Sequence, residues 1–587
     1  MTQIFATSFT PTIQTLINDI VAAASPGQIV DAWLFNDATA RRAAEAELAG
    51  QGITARIRSA YKPLLHFFLE DLDLANSEVV GITVRYPRHE NAADNRFLLE
   101  TYPLAALVAP AVIRFEAGER NNCTYDVILR ADDGSQTRHE VFAPNRVHRD
   151  MVNETHLSPT GWLRMTDADG NLVRDDRIET EYEALFSQTM SAIAGHDWGK
   201  QEPYFEELNI TVDLPGIDQK IAHGHEVLSL HEALHEDFYF SLLEYFQIKS
   251  GRPLGDRGLQ PGQIVPEIRQ SHEAGDAKVT VELRPLSKDE TVGDVQSLDY
   301  AIRPLTVAQI RAELDVIGGA DFHAVSRSGR QLNARYHKGT GLPVMISGGQ
   351  HPNEISGVAG ALRGAQELAK RDGAHFTISP LENPDGYALH QRLIVDNPTH
   401  MHHAARYTAL GDDMEYRSGD GLYEKEIRVR ARAISGASLH INLHGYPSHE
   451  WTRPLSGYVP RGFDMWTLPK GFFLIMRHHD NWTDRAESFI DQVTRKLAAI
   501  PGLLEFNAAQ INLYRIHAGE TGFRIINGFP CMISIDDRHD VPLTLITEYP
   551  DETIYGDAFI AAHTAQKATV VAAYDAWQTL DLEKSLI

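Results

Sequence analysis

For residues 301–587 the sequence predicts an α/β fold, and for residues 1–300 an α+β region. After residue 300, short apolar runs that end in polar loops alternate with longer amphipathic segments, the pattern of strands alternating with helices. Ahead of this boundary, residues 250–262 are rich in glycine and proline and predict a long loop. The chain has 587 residues, 43% of them hydrophobic, so it can bury at least two cores.

The first 300 residues mix both periodicities. Residues 37–48 and 179–192 are predicted helices, whereas residues 79–84 and 125–130 are predicted strands. No motif of a known family is found in this part. A lid, a dimerisation surface and a substrate-selecting domain all remain open as its role.

The second part begins with a predicted helix at Thr306, whose hydroxyl can cap its first turn. Further helices are predicted at 356–369, 424–434, 484–499 and 558–580, and strands after Leu342, at 376–381, before His444 and before Glu548. In a sheet with helices on both faces, ligands bind at the ends of the strands. The polar residues that follow the predicted strands are therefore the candidate site.

The first of these strands runs into Gly348-Gly-Gln-His-Pro-Asn-Glu354. An imidazole and a carboxylate three residues apart, His351 and Glu354, can reach one ion if the loop curls back, and mixed nitrogen and oxygen ligation suits zinc. Catalytic zinc needs a third protein ligand and an open position for water. The pair therefore predicts that another histidine arrives from elsewhere in the chain.

The segment Ser438-Leu-His-Ile-Asn-Leu-His-Gly445 supplies two candidates, His440 and His444. Residues four apart on a strand are separated by more than about 10 Å, so only one of the two can bind the ion. We choose His444, which stands at the end of the strand before a glycine, with His440 as the rival. Glu548, at the end of a third apolar strand, is the candidate general base.

Taken in order, these blocks resemble the zinc carboxypeptidases of the carboxypeptidase A type. The resemblance covers roughly residues 305–580 and rests on Ser326–Arg330, Gly348–Glu354, Glu382–Tyr387, Ile441–Tyr446 and Thr547–Pro550. It implies a mixed eight-stranded sheet with helices on both faces and one zinc ion per chain. The zinc would be bound by His351, Glu354 and His444, and Glu548 would take a proton from water and return it to the leaving amine.

The resemblance also implies two further roles and shows one departure. Arg392, shortly after the Asn-Pro-Asp-Gly turn, matches the arginine that stabilises the oxyanion. Asp413 matches the aspartate that orients the first zinc histidine. The Asn-Arg pair that usually binds the substrate's terminal carboxylate is replaced by Glu415 and Tyr416, and Arg417 lies one residue late. A one-residue bulge could restore Arg417 to substrate binding.

The predicted function is therefore a metallocarboxypeptidase that releases a C-terminal residue from a peptide. The alternative is a zinc-dependent deacylase or amidase of a small N-acyl amino acid, similar to aspartoacylases and desuccinylases, which would use the same ligands and the same glutamate. The irregular segment around Arg417 is the best argument for this alternative. A binding or scaffold protein with an inactive site is the third possibility, and the retention of all three ligands argues against it.

A second metal motif competes with this assignment. His231, Glu232 and His235 have the His-Glu-x-x-His spacing, which places both histidines on one face of a helix, as in zinc metalloproteases. Charged residues, Glu236 and Asp237, directly follow the second histidine, and the leucines around them form an apolar helix face. The sequence favours a structural role here, while a second metal site stays open.

The formal net charge of −26 disfavours nucleic acid and anionic membranes as partners. No apolar stretch approaches the roughly eighteen residues of a membrane-spanning helix, and the N-terminus lacks a basic segment followed by an apolar one. Two cysteines in so long a chain fit a reducing compartment. We therefore expect a cytoplasmic enzyme, whose oligomeric state is left open.

Overall fold

The computed structural model describes residues 2–23, 27–73, 78–120, 122–271, 275–288 and 293–580. In the first 300 residues the strands are β1 Thr2–Phe9, β2 Ile29–Leu34, β3 Thr54–Ser59, β4 Val79–Arg88, β5 Val112–Arg120, β6 Thr124–Ala131, β7 Gln136–Phe142, β8 Asn145–Arg149, β9 Thr155–Pro159, β10 Gly161–Thr166, β11 Leu172–Ile178, β12 Glu207–Pro215, β13 Gln219–Lys220, β14 Val227–Leu228, β15 Gln263–Ser271 and β16 Ala277–Arg284. The helices there are α1 Thr12–Ala23, α2 Ala38–Gly50, α3 Pro63–His66, α4 Arg96–Glu100, α5 Leu104–Leu107, α6 Glu181–Gly195 and α7 Leu230–Lys249.

After residue 300 the strands are β17 Ala320–Val325, β18 Gln331–His337, β19 Val344–Gly348, β20 Phe376–Ser379, β21 Leu439–Pro447, β22 Phe473–His478, β23 Arg524–Ile526, β24 Phe529–Ile535 and β25 Leu543–Glu552. The helices are α8 Val307–Ile317, α9 Ser356–Leu368, α10 Pro384–Asp396, α11 Glu426–Ser435, α12 Thr483–Leu497, α13 Leu503–Ala518 and α14 Asp557–Thr579. The predicted cap of α8 is confirmed, because the Thr306 hydroxyl accepts a hydrogen bond from the Gln309 N–H at 3.1 Å.

The strands of the first part form several small sheets. Three of them have four strands each, in the orders β1-β16-β12-β15, β11-β10-β2-β3 and β5-β4-β6-β7, and two are two-stranded ribbons, β8-β9 and β13-β14. Helices accompany these sheets, so the α+β class predicted for this part is confirmed.

All strands after residue 300 belong to one sheet, in the order β17-β18-β20-β19-β21-β25-β22-β24-β23. The four central strands β20, β19, β21 and β25 are parallel, and β22 pairs with β25 in the antiparallel sense. The mixed sheet predicted from the resemblance is confirmed, although in the described part of the chain it has nine strands where eight were expected.

The central strands are buried because helices cover both faces of the sheet. Every residue of β19, β21 and β25 is buried, as expected for parallel strands between two helical layers. Neighbouring side chains of β19 point to opposite faces: Ile346 joins the core with α8, α9, α12 and α14, whereas Met345 packs with Ala431 of α11.

Helix α9 packs unusually close to α14. A β-carbon on Gly360 would lie 2.3 Å from Cβ of Gln566, and one on Gly364 would lie 2.7 Å from Cβ of Val570. Only glycine permits this approach. The contact fixes the middle of α9 against α14.

The first part of the chain packs against loops of the second. Phe238 and Phe240 of α7 share a hydrophobic core with Leu389, Met401 and Trp451. Residues that precede position 300 therefore cover the region around the ends of the central strands. Among the described helices, none combines the length and apolar character needed to cross a membrane.

Candidate metal centre

The candidate site lies toward the carboxyl ends of β19, β21 and β25, and His444 and Glu548 stand a few residues before β21 and β25 end at Pro447 and Glu552. In the register of β21 with β25, His444 is directly opposite Glu548, so the two side chains start from the same level of the sheet. The loop after β19 carries His351 and Glu354 to that level. Such a crevice at strand ends is the usual binding region of an open α/β sheet.

The donor atoms of His351, Glu354 and His444 converge. Nδ1 of His351 lies 2.8 Å from Oε1 of Glu354, and Nδ1 of His444 lies 2.8 Å from Oε2 of the same carboxylate. The two Nδ1 atoms are 3.1 Å apart, close to the separation of about 3.3 Å for two ligands of a tetrahedral zinc with bonds of about 2.0–2.1 Å. In the described residues this is the group that could hold a metal ion, and all three side chains are buried.

The electrostatics of the three residues agree with a shared cation. Burial lowers the pKa of His444, so its imidazole is neutral and has a lone pair to offer. Burial and Arg406 lower the pKa of His351, but Glu354 and Asp413 outweigh them and raise it. Although burial raises the pKa of Glu354, the nearby His351 and Arg406 hold it well below its usual range. The carboxylate is therefore ionised.

Two polar side chains orient the histidine rings from behind. Nε2 of His351 lies 3.3 Å from Oδ2 of Asp413, where the resemblance predicted an orienting aspartate. Nε2 of His444 lies 3.2 Å from Oε1 of Gln350, and the Gln350 amide donates to Oδ1 of Asp413 at 2.9 Å. Such outer contacts set the tautomer and the direction of a ligating imidazole.

Glu548 faces a cavity of about 170 Å³ that His351 and His444 also line. Burial and the charge of Glu354 raise the pKa of Glu548 well above its ordinary value, while Arg406 and Lys470 act in the opposite direction. Two carboxyl groups in one site thus have pKa values displaced in opposite directions. This separation is typical of a site where one carboxylate stays charged and the other exchanges protons.

Arg406 is a residue of this site that the sequence did not reveal. Its Nη1 donates to Oε1 of Glu354 at 2.5 Å, and its side chain lines the cavity beside Glu548. It follows the His400-Met-His-His403 cluster, a segment that suggests only the rim of a site or surface. No local pattern distinguishes it from other arginines.

Two predicted residues lie outside the cavity, and a third candidate lies outside the group that could hold a metal ion. Arg392, expected at the oxyanion, donates to Oε1 of Glu207 at 2.8 Å, outside the cavity. Arg417, expected to bind substrate, is buried between Asp412 and Glu424 and does not line the cavity. Both roles are therefore corrected, because each guanidinium is held by carboxylates of its own surroundings. His440, the rival of His444, bonds Ser347 Oγ at 2.7 Å and lies outside the triad.

The His-Glu-x-x-His motif lies on α7 but does not form a metal site. Both ring nitrogens of His231 already have partners: Nδ1 lies 3.0 Å from Oδ1 of Asp218, and Nε2 lies 3.1 Å from the Leu214 carbonyl oxygen. The second histidine, His235, accepts a hydrogen bond from the Ala404 N–H at 3.4 Å. Their ring nitrogens are engaged by separate protein groups.

The glutamate of the motif is engaged as well. Both carboxylate oxygens of Glu232 lie 2.9 Å from Nε2 of His449, and the Met401 N–H donates to Oε2. Close proximity to Glu232 and Glu226 raises the pKa of His449 to about 9 in spite of its burial, which by itself lowers it. The motif therefore fastens α7 to the loop after β21 through a buried ion pair, and to the loop after α10 through hydrogen bonds from backbone N–H groups.

Comparison with known proteins adds a structural likeness only. No family model matches the chain, and no curated protein matches it. A metallo-carboxypeptidase from Pseudomonas aeruginosa in complex with (2-guanidinoethylmercapto)succinic acid is 13% identical, with a TM-score of 0.28, over 52% of this chain and 73% of that one. A metallo-carboxypeptidase from Burkholderia cenocepacia is 14% identical, with a TM-score of 0.28, over 52% and 76%.

Bovine thrombin-activatable fibrinolysis inhibitor, in complex with tick carboxypeptidase inhibitor, is 13% identical, with a TM-score of 0.27, over 47% of this chain and 97% of that one. The two metallo-carboxypeptidases among these neighbours are of the kind that the sequence resemblance suggests. At such low identities and TM-scores the likeness carries no argument about the reaction.

Proposed function

We propose that this protein is a zinc-dependent hydrolase that cleaves an amide bond, with metallocarboxypeptidase activity as the first choice. One observation carries the proposal: the donor atoms of the buried residues His351, Glu354 and His444 converge beside a cavity that His351, His444 and Glu548 line. Two imidazoles and one carboxylate are a known ligand set of catalytic zinc, whereas magnesium and calcium prefer oxygen ligands alone. A zinc ion there would polarise a substrate carbonyl and lower the pKa of a coordinated water.

Glu548 is the proton carrier in this proposal. It accepts a proton from the attacking water and then donates it to the nitrogen of the leaving amine. Support comes from its raised pKa, because burial and the charge of Glu354 make this carboxyl group accept a proton more readily than an ordinary glutamate does. Its burial keeps bulk water from competing for the proton.

Arg406 takes the role that the sequence resemblance had implied for Arg392. Its guanidinium lies beside Glu354 in the cavity, where negative charge develops on the carbonyl oxygen during attack. Its pKa is raised, since the attraction of Glu354 outweighs the effect of burial, so the positive charge is permanent. A fixed cation of this kind lowers the energy of the transition state more than that of the bound substrate.

Arg406→Gln is expected to lower kcat by about 10²- to 10³-fold, the usual cost of removing one oxyanion donor. Because Arg406 also contacts Glu354, zinc content is measured on the same samples and is expected to stay near one ion per chain. Arg392→Gln is the matched control, because this arginine pairs with Glu207 outside the cavity. Equal losses in the two variants would contradict the assignment.

The substrate's carboxylate needs a different partner from Arg417. Arg257, an exposed residue of the glycine- and proline-rich loop, lines the cavity, and its guanidinium carbon lies 5.2 Å from the ring centroid of Tyr416. We assign carboxylate binding to this cation. The deacylase alternative remains, because it would use the same three ligands and the same glutamate.

Peptides with free and amidated carboxyl termini test the first choice. We expect the wild type to hydrolyse the free form with a kcat/KM at least about tenfold higher, and Arg257→Gln to reduce that ratio toward one. Arg252→Gln, which removes a cation of the same loop that pairs with Glu202, serves as the control. Equal cleavage of both peptides by the wild type would exclude carboxylate-anchored exopeptidase action and favour the alternative.

A further inference from the structure

Glu552, the last residue of β25, is a buried carboxylate that takes no part in the proposed hydrolysis. It is 1% exposed and lines the same cavity as Glu548. Within the described ranges, neither of its carboxylate oxygens has a hydrogen-bond partner. Burying an ionisable group without a partner is costly, so buried polar groups are nearly always bonded. A lone carboxylate in a cavity therefore points to a ligand that satisfies it.

The side chains around Glu552 do not neutralise it. His403, on the cavity wall, has a pKa lowered to about 3 by burial, and its Nδ1 is engaged with Oε2 of Glu236 at 2.5 Å. Arg406 is the nearby cation, and its Nη1 bonds Glu354. Burial raises the pKa of Glu552 to about 7, and these neighbours only moderate the rise.

Asn353 extends the same unsatisfied patch. It is 1% exposed and close enough to lower the pKa of Glu552, yet in the described part of the chain neither its amide nitrogen nor its amide oxygen makes a hydrogen bond of normal geometry. Two adjacent buried side chains thus offer three free acceptor oxygens. A primary ammonium group offers three donors and a positive charge.

A second metal ion explains these groups less well. Among the described residues, the group of histidines and carboxylates spaced for a metal is His351, Glu354 and His444, and Glu552 is outside it. A structural ion pair is also excluded, because no arginine or lysine in the described ranges forms a salt bridge with Glu552. An ammonium group of the substrate accounts for both the charge and the missing hydrogen bonds.

We propose that Glu552 and Asn353 form a subsite for a primary ammonium group of the substrate. The inference rests on the proposed function, since it concerns a second contact in the same cavity. The net charge of −26 favours the approach of a cationic group. The ammonium has two sources: the free α-amino group next to the scissile bond, or the side chain of a lysine. Both present the same chemistry to Glu552.

Two pairs of probes separate these sources. Glycyl-phenylalanine and its N-acetyl derivative differ in the α-ammonium, and N-acetyl-glycyl-lysine and N-acetyl-glycyl-norleucine differ in the side-chain ammonium. For the zinc-loaded wild type we expect the ammonium-bearing member of one pair to have a kcat/KM at least about tenfold higher. Glu552→Gln, nearly equal in shape but uncharged, is expected to remove that preference.

Glu415→Gln is the matched control. Glu415 also lines the cavity, but Arg428 bonds it at 2.6 Å and His539 at 2.8 Å, so its charge is already compensated. This variant is expected to keep the preference for the ammonium. If it lost the preference as Glu552→Gln does, the effect would follow from the general charge of the cavity, and the subsite would be refuted.

Binding is measured separately from turnover by calorimetry with the same four probes. If the wild type hydrolyses none of them, the proposed function fails, while tighter binding of an ammonium-bearing probe that Glu552→Gln abolishes still supports the subsite. If Glu552→Gln does not fold, the inference is tested on the wild type, by the ratio of kcat/KM and of affinity within each pair of probes. Equal kcat/KM and equal affinity within both pairs, or a preference that survives in Glu552→Gln, would overturn the inference.

Discussion

Glu548→Gln is expected to lower kcat by about 10³- to 10⁴-fold while KM and zinc content stay close to the wild-type values. Glutamine has nearly the same shape as glutamate but cannot accept a proton, so attack by water loses its base and the departing amine loses its acid. The strand position supports a direct role, since Glu548 lies opposite His444 in neighbouring parallel strands. Its raised pKa suits both halves of the reaction.

The measurement is steady-state kinetics on the best peptide, with metal analysis of the same preparation. Glu548→Asp keeps the carboxyl group on a side chain that is one methylene shorter. Its kcat should lie between those of the wild type and of Glu548→Gln. A kcat for Glu548→Gln within tenfold of the wild type, at full zinc content, would mean that another group carries the proton.

His351→Ala is expected to lower bound zinc from one ion per chain to below about one tenth, and activity with it. The substitution removes one of three ligands and leaves one histidine and one carboxylate. Two ligands bind zinc too weakly to retain it when the protein is diluted. His351 also supplies charge that keeps the pKa of Glu354 well below its usual range, so the remaining carboxylate becomes a poorer ligand at low pH.

Metal content by mass spectrometry after gel filtration measures this effect. His231→Ala serves as the control, because the ring of His231, on α7, bonds Asp218 and the carbonyl oxygen of Leu214, which lies on β12. The His231→Ala variant is expected to retain zinc, although the loss of two hydrogen bonds will lower its free energy of unfolding. Equal zinc in the wild type and His351→Ala would refute the triad, and zinc loss in His231→Ala alone would favour the helical motif.

Residues at strand ends were predictable because the signal is local. An apolar run that stops at a glycine marks both the strand and the point where its polar end faces a crevice. His351 and Glu354 follow such a run and His444 precedes Gly445, whereas Glu548 closes an apolar run without a glycine. The strands themselves continue past His444 and Glu548, to Pro447 and Glu552. The structure brings His351, His444 and Glu548 to one cavity, beside Glu354. The choice between His440 and His444 also followed from strand geometry.

The positions and partners of the arginines were not predictable, since a guanidinium pairs with whichever carboxylate the fold places beside it. Arg392 meets Glu207, a residue of β12 almost two hundred positions earlier in the chain. Arg406 meets Glu354 through a loop with no regular periodicity. The local sequence predicts neither pairing, because long-range ion pairs depend on the packing of separate elements.

The sequence alone determined the α/β class of the second part, its short apolar strands and the candidate metal triad, because hydrophobic periodicity and the residues next to it are encoded within short segments. Tertiary structure decided everything that depends on charges meeting across the chain: Arg406 in the cavity, Arg417 outside it, the engaged His-Glu-x-x-His motif and the unpartnered Glu552. The physical reason is burial, since the cost of an unpaired charge depends on its partners in space and not on its neighbours in sequence.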